Sequence, residues 1–336
     1  SRGVERYAGR LADVTLAGDG SIEAVITADG TRLEADLFID CTKTDASLIG
    51  RALDVGWVDC SDWLLCDRLL TMSVRYEHWF PGKLRPFTTA TALSAGWVQD
   101  IPLQERRSLT YVYSSRHNDD ANARQELRSL EGAHARDLEI TATEFDVGHR
   151  SDAWVANCVA LGTSGGFMEP LEAAGQYLAD LGTIALAECF PLGDDIAPFA
   201  FRYNHVMAKR FYEILDFVNM QYCLTKRSDT AFWRDVSRPE HINDRLAAKL
   251  DFWRHKAPSR SDFIDPRVPP PNAGAAPDGH SSIGAAGVFS LERYEAALYG
   301  MQFLAEECDN WFGTERPQTQ VPPYIINDIK RAHATL

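Results

Sequence analysis

Apolar and polar residues alternate through Arg10–Leu16, Ile22–Thr27 and Thr31–Ile39, and Gly18-Asp19-Gly20 and Asp29-Gly30 interrupt the alternation. A period of two broken by Gly and Asp predicts a three-strand meander joined by hairpin turns. A short helix is expected over Ser47–Leu53. From Leu69 to Tyr113, β-branched and aromatic residues between turn signals predict a strand-rich region. Asp119–Leu130 reads as an amphipathic helix, and Trp154–Leu161 as one buried strand. From Leu171 the apolar spacing changes to three and four, predicting helices over Leu178–Cys189, Phe201–Cys223 and Ser290–Trp311. Pro266–Pro277, rich in Pro and Gly and without periodicity, reads as a linker. No internal repeat is evident.

The composition narrows the class. With 336 residues, 45% hydrophobic and 24% charged, the chain is long enough for a large core in one or two domains and is ordinary for a globular protein. A net charge of −14 argues against a nucleic-acid partner. There is no run of eighteen apolar residues, so no membrane span is expected, and no signal peptide is visible. The seven cysteines, Cys41, Cys60, Cys66, Cys158, Cys189, Cys223 and Cys308, are scattered without CxxC spacing. That pattern suits thiols in a cytoplasmic protein and supports neither a disulfide framework nor a metal site. His205 and His241 have no ligand partners at metal spacing; Trp233 and Trp253 read as helix-packing aromatics.

The stretch WVANCVALGTSGGFMEPLEAAG, Trp154–Gly175, carries the chemistry. Gly162, Gly165 and Gly166 allow a tight turn and close approach of backbone to a ligand. Glu169-Pro170-Leu171-Glu172 then reads as the first turn of a helix, where Pro is tolerated and carboxylates suit the dipole. Free N–H groups at such a corner can hold an anion or the polar edge of a cofactor. Taken alone, the spacing leaves two readings open: this site, or an ordinary strand–turn–helix connection.

The same stretch resembles the signature of the flavin-dependent tryptophan halogenases, W-x-x-N-C-V-A-x-G-x-x-x-G-F-x-E-P-L-E-S-T-G. It does so at Trp154, Asn157, Cys158, Val159, Ala160, Gly162, Gly166, Phe167, Glu169, Pro170, Leu171, Glu172 and Gly175. Leu33–Thr42, Trp63–Arg68, Thr88–Leu103, Leu109–Ser115 and Ile214–Arg234 resemble further segments of that family in the family's order, covering residues 1 to about 255. The resemblance implies an α/β flavoprotein (α+β type): an FAD-binding Rossmann-like layer, a substrate-side β-sheet and a helical C-terminal region. The implied divisions are 1–68 for the remainder of the FAD-binding domain, 69–150 for the sheet, 151–190 for the return to the FAD layer, and 191–336 for the helical region. A G-x-G-x-x-G turn for the FAD pyrophosphate is absent from these residues, so the chain is expected to be the C-terminal part of a longer flavoprotein.

The resemblance also implies the chemistry. Reduced FAD, supplied by a separate flavin reductase, would react with oxygen and with chloride or bromide to give hypohalous acid, which halogenates an electron-rich small aromatic substrate; a homodimer is compatible. Glu172 would be the catalytic carboxylate, working with a lysine upstream, while Glu169 would be structural. Gly162, Thr163, Ser164, Gln176 and Asp40 would lie at the cofactor. The amides of Ala174 and Gly175 would hold the halide, and Phe289, Tyr294 and Trp97 would line the substrate site. Departures from the family pattern are Gln99 for the second Trp of W-x-W-x-I-P, Lys43-Thr44 for Gly-Phe, Ala173-Ala174 for Ser-Thr, and Ser290 for a substrate-stacking Trp. They motivate two alternatives, a flavin monooxygenase on the same fold and an inactive halogenase-like binding subunit.

Overall fold

The computed structural model describes residues 3–76, 86–191, 193, 195–263 and 287–304. The expected linker over Pro266–Pro277 lies outside them. Strands β1 (Leu11–Leu16), β2 (Ile22–Thr27) and β3 (Arg32–Leu33) form the antiparallel meander. The expected third strand divides, however. β3 stops after Leu33, and β4 (Phe38–Asp40) leaves the meander to pair with β13 (Cys158–Ala160), Phe38 opposite Cys158, in parallel. The polar Glu34-Ala35-Asp36 step sits at this break, and beyond it Phe38 and Asp40 are buried on one face.

Trp154–Leu161 is likewise two strands. β12 (Trp154–Val155) and β13 form a hairpin, with Trp154 opposite Val159 and Ala156 left-handed at φ 47° in the turn. Asn157, the other turn residue, acts as a backbone mimic. Its Oδ1 accepts from Ile22 N and its Nδ2 donates to Ile22 O, both at 2.8 Å, so it stitches the meander to the parallel pair.

The strand-rich region is a five-stranded antiparallel sheet in the order β10-β6-β9-β8-β7: β6 (Arg68–Arg75), β7 (Thr89–Ala92), β8 (Gly96–Pro102), β9 (Arg106–Tyr113) and β10 (Ile140–Glu144). Helix α1 (Asp120–Glu131) packs on it through Ala123 and Leu127, and the Asp119 side chain accepts from Asn122 N as its cap. A small third sheet joins β5 (Trp57–Asp59), β11 (Gly148–Arg150) and β14 (Gly166–Phe167).

The remaining elements are helices α2 (Ala174–Glu188), α3 (Ala197–Cys223), α4 (Ala231–Asp235), α5 (Asp244–Trp253) and α6 (Leu291–Gly300). The last is shorter than expected: it ends at Gly300, and the segment from residue 305 lies outside the described residues. Helix α3 is the spine. Its Tyr203 and Val206 pack on Trp154 and Val159, while Phe211, Ile214, Leu215 and Val218 enter the core with Cys66, Trp97, Met168, Phe232 and Trp233. Trp233 and Trp253 are buried as helix-packing rings. Burying each such large apolar side chain is worth on the order of 2–3 kcal/mol, and the junction of α3 with the Gly-rich turn is consequently firm.

Candidate active site

β13 is wholly buried, and the chain leaves it through Gly162, which is left-handed at φ 71°. A Cβ added at Gly162 would meet nothing within 4 Å, so this corner presents bare backbone to open space. A Cβ at Gly166 would instead lie 2.9 Å from the His149 Cβ, which is why β14 needs glycine to pair with β11. Thr163, half-buried, flanks the open corner. Ser164 faces inward: its hydroxyl donates to the Asp40 carbonyl and to the Leu161 carbonyl at 2.9 Å.

Asp40 is buried as well, with its carboxylate fully engaged by its own chain. Thr42 N and Oγ1 donate to Oδ1 at 2.9 and 2.7 Å, and Leu48 N and Ile49 N donate to Oδ2 at 2.8 and 2.9 Å. Of the cofactor residues expected from sequence, the Asp40 and Ser164 side chains therefore brace the turn from behind, while Gly162 and Thr163 form its accessible lip. Behind the lip is a small pocket of about 40 Å³ lined by His149, Gly165, Gly166, Asn204, Met207 and Phe211, among others.

The segment after the turn departs from the expected helix start. Glu172 and Ala173 are both left-handed, at φ 59° and 57°, and α2 begins only at Ala174. Non-glycine residues rarely adopt this conformation, and two in succession mark a strained corner. Contacts on both sides account for it: Leu171 packs on the core, and Glu172 is held by side chains of α3 and α6. Gln221 Nε2 donates to Glu172 Oε1 at 3.4 Å, and the Arg293 guanidinium pairs with Oε2. The Ala174 N–H is spent on the Leu171 carbonyl, so it does not serve the halide role expected of it. Gly175 falls in the first turn of α2, where N–H groups run ahead of the helical ladder. Gln176 is exposed and donates to Asp180 at 2.9 Å.

Three residues before Glu172, Glu169 is completely buried. The Tyr222 hydroxyl lies 2.8 and 2.9 Å from its two oxygens, and Cys66 Sγ is 3.5 Å from that hydroxyl. Burial pushes the carboxyl up to about 7, opposed by Tyr222, Trp97 and Cys66. The Trp97 indole N–H takes part through its proximity without reaching hydrogen-bond geometry. Gln221 and Tyr222, adjacent on α3, thus grip the two carboxylates of the Glu169–Glu172 segment.

Of the three expected substrate residues, Trp97 and Tyr294 are core. Trp97 is buried in β8, and Tyr294 packs against Phe217, Trp253 and Phe263. Phe289 is half-buried, stacked on Phe217 at 4.0 Å between ring centroids, with the Arg293 guanidinium 5.7 Å from its own centroid. Ser114, His117 and Asp235 are linked by 2.9 Å contacts, but Ser114 is buried and contacts Nδ1, so the trio tethers the β9 end to α4 and offers no accessible nucleophile. No cluster of three or more His, Cys, Asp or Glu suited to a metal occurs among the described residues.

Sequence reasoning missed Arg293, Gln221 and Tyr222. Each lies on a helix where polar residues read as a solvated face.

Comparison with known proteins settles the family. The Tryptophan halogenase family profile matches residues 1–316. The chain belongs to the tryptophan halogenase family. Its relatives include 7-chloro-L-tryptophan 6-halogenase KtzR of Kutzneria sp. (strain 744), 34% identical over 258 residues, which are 76% of this chain and 49% of KtzR. The tryptophan halogenase structure from Shewanella frigidimarina is similar at a TM-score of 0.78 and 28% identity, covering 96% of this chain and 56% of that one. BrvH, a flavin-dependent halogenase from a Brevundimonas species, matches at a TM-score of 0.74 and 31% identity, covering 90% and 56%. The chain spans about half the length of the curated relatives it matches. The halogenase α/β flavoprotein fold expected from sequence is thus the fold observed.

Proposed function

We propose that this chain is the part of an FAD-dependent halogenase that carries the reacting carboxylate and acts on an electron-rich small aromatic ring. The observation that supports the reading is Glu172 itself, ten residues after the open Gly162 corner in the chain, held left-handed by Gln221 and by Arg293, whose guanidinium lies 5.7 Å from the half-buried ring of Phe289. The residues suit a flavin edge: Gly162 offers bare backbone to a flat ring, and half-buried Thr163 follows it in the chain. A reduced flavin bound there, supplied by a separate reductase, provides the oxygen chemistry that oxidises chloride or bromide. Gly162 and Thr163 would hold its edge, and the Gly175 amide would hold the halide. Glu172 would accept the proton that leaves the aromatic ring on substitution. Buried Glu169, gripped by Tyr222, keeps that turn in place and stays out of the chemistry.

We propose a cytoplasmic location, which cysteines that are free wherever described would suit. The test is Glu172→Gln in the full-length protein with a flavin reductase and an electron-rich indole. Loss of bromide-dependent product by about a hundredfold or more is expected, from the lower end of the range for removing a positioned base. Unchanged brominated product would remove Glu172 from the mechanism, and a bromide-independent hydroxylated product would favour the monooxygenase reading.

A further inference from the structure

Arg150, at the end of β11, is a half-buried cation without a carboxylate partner among the described residues. Its Nη1 donates to the Val55 carbonyl at 2.9 Å, and its guanidinium carbon lies 5.2 Å from the centre of the Trp57 ring. Its Nε is buried and has no hydrogen-bond partner among the described residues. The seat is shaped for the cation: a Cβ added at Gly50 would lie 2.6 Å from Nη2 and 2.7 Å from Cζ, so glycine is what gives the guanidinium room. A chain of net charge −14 has many carboxylates to spare for such a group. An unpaired charge and an unpaired buried donor both destabilise a fold, so a seat of this kind calls for something that pairs with it.

Arg150 also lines the pocket of about 40 Å³ behind the Gly162 lip, and no Asp or Glu lines it. His149, on the same wall, brings no charge of its own. Its Nδ1 lies 2.7 Å from the Arg150 carbonyl and must donate to it, which leaves Nε2 to accept from the Tyr212 hydroxyl at 3.0 Å. Burial lowers its pKa and keeps the ring neutral. Arg150 is therefore the single charge among the lining residues. One water needs about 10–15 Å³, so the pocket admits a monatomic ion or a few waters and is too small for a larger metabolite.

We propose that this pocket is a second halide site, in which one chloride or bromide ion accepts from Arg150 Nε and neutralises its charge. It is separate from the reacting halide, because Gly175, to which that role falls above, does not line the pocket. The work of this ion is structural. Arg150 N donates to the Gly165 carbonyl at 2.8 Å, so an ion fixed on the Arg150 side chain steadies the junction of β11 with the Gly-rich turn. The site needs neither flavin nor turnover.

Two measurements on the full-length protein test it. Crystals soaked in bromide, with data collected at the bromine absorption edge, should show an anomalous peak in this pocket, in contact with Arg150 Nε. In solution, exchanging gluconate for bromide at constant ionic strength should raise the thermal midpoint by about 2–4 °C, the shift expected when the ion is present at roughly tenfold its dissociation constant. Ala208→Leu fills the pocket from α3 without removing a contact of the guanidinium, and should abolish the peak and most of the shift. Arg150→Met should do the same; if that variant fails to fold, Ala208→Leu decides. A peak confined to the Gly175 amide, ordered water alone in the pocket, or a bromide response that Ala208→Leu leaves unchanged would overturn the site.

Discussion

The five-stranded sheet and the Gly162–Gly175 corner bury polar groups in opposite ways. In the sheet, β6 and β9 pair without interruption from Arg68–Tyr113 to Arg75–Arg106. Arg107, a buried cation beneath it, is closed on both sides, by Asp100 Oδ2 at 2.6 Å and by Glu131 Oε1 at 2.9 Å, tying β9 to β8 and α1. In the corner, strands are two or three residues long, two consecutive residues are left-handed, and a buried carboxyl has no cation within its own cluster. The sheet settles its electrostatic demands internally. The corner leaves buried Glu169 to neutral partners, while Glu172, three residues on, takes its cation from another element, Arg293 of α6.

Breaking the sheet's arrangement should have the largest effect. Arg107→Ala strands two buried carboxylates and is expected to lower stability by about 3–5 kcal/mol, read as a fall in the urea midpoint. A loss near zero would mean the trio is solvated and the contrast between the regions is unfounded.

The corner should respond in the other direction. Because Glu169 rises from 4.5 to about 7 on folding, the folded chain holds a proton that the unfolded chain releases. Stability from this group is therefore highest below pH 4.5, falls as pH rises towards about 7, and is flat beyond, a total of roughly 3 kcal/mol. Glu169→Gln keeps an acceptor for Tyr222 and cannot ionise. Urea midpoints between pH 5 and 8 should show the variant gaining on the wild type as pH rises. Parallel curves for the two proteins would remove Glu169 as the source.

The same contrast explains what could be read in advance. The sheet and helices α1 and α3 were legible because alternation and helical spacing persist over many residues. The hairpin inside Trp154–Leu161 was not, since the run is apolar except for Asn157 and its turn uses Ala156 without glycine. Glu169-Pro170-Leu171-Glu172 has the composition of a helix start, and only the tertiary grip of Gln221 and Arg293 turns Glu172 the other way. Asp40 had the right importance for a different reason: its four donors come from the loop it organises, Thr42 to Ile49, and Thr42 two residues on was the available hint. Family signatures marked the positions that matter while leaving open which way each side chain faces.

The smallest predicted effects give the sharpest comparison, because they apply one substitution to two left-handed residues with different jobs. Lys43 stands at φ 61° where the family pattern has Gly, and Ala173 at φ 57° beside Glu172. Replacing either by Gly relieves about 1–2 kcal/mol of backbone strain and returns part of it through the freer unfolded chain, for a net gain of roughly 0.5–1 kcal/mol. Thermal melts should therefore rise for both Lys43→Gly and Ala173→Gly. Bromide-dependent turnover should part them. Lys43 lies in the loop braced by Asp40, and its replacement leaves the Glu172 turn untouched. Gly at position 173 frees the residue next to Glu172 to leave the left-handed region, so stability should rise while turnover falls several-fold. If both variants gain stability and both keep full turnover, the strain at Glu172 is incidental to its chemistry; if Ala173→Gly alone loses activity, the corner's conformation is what positions the carboxylate.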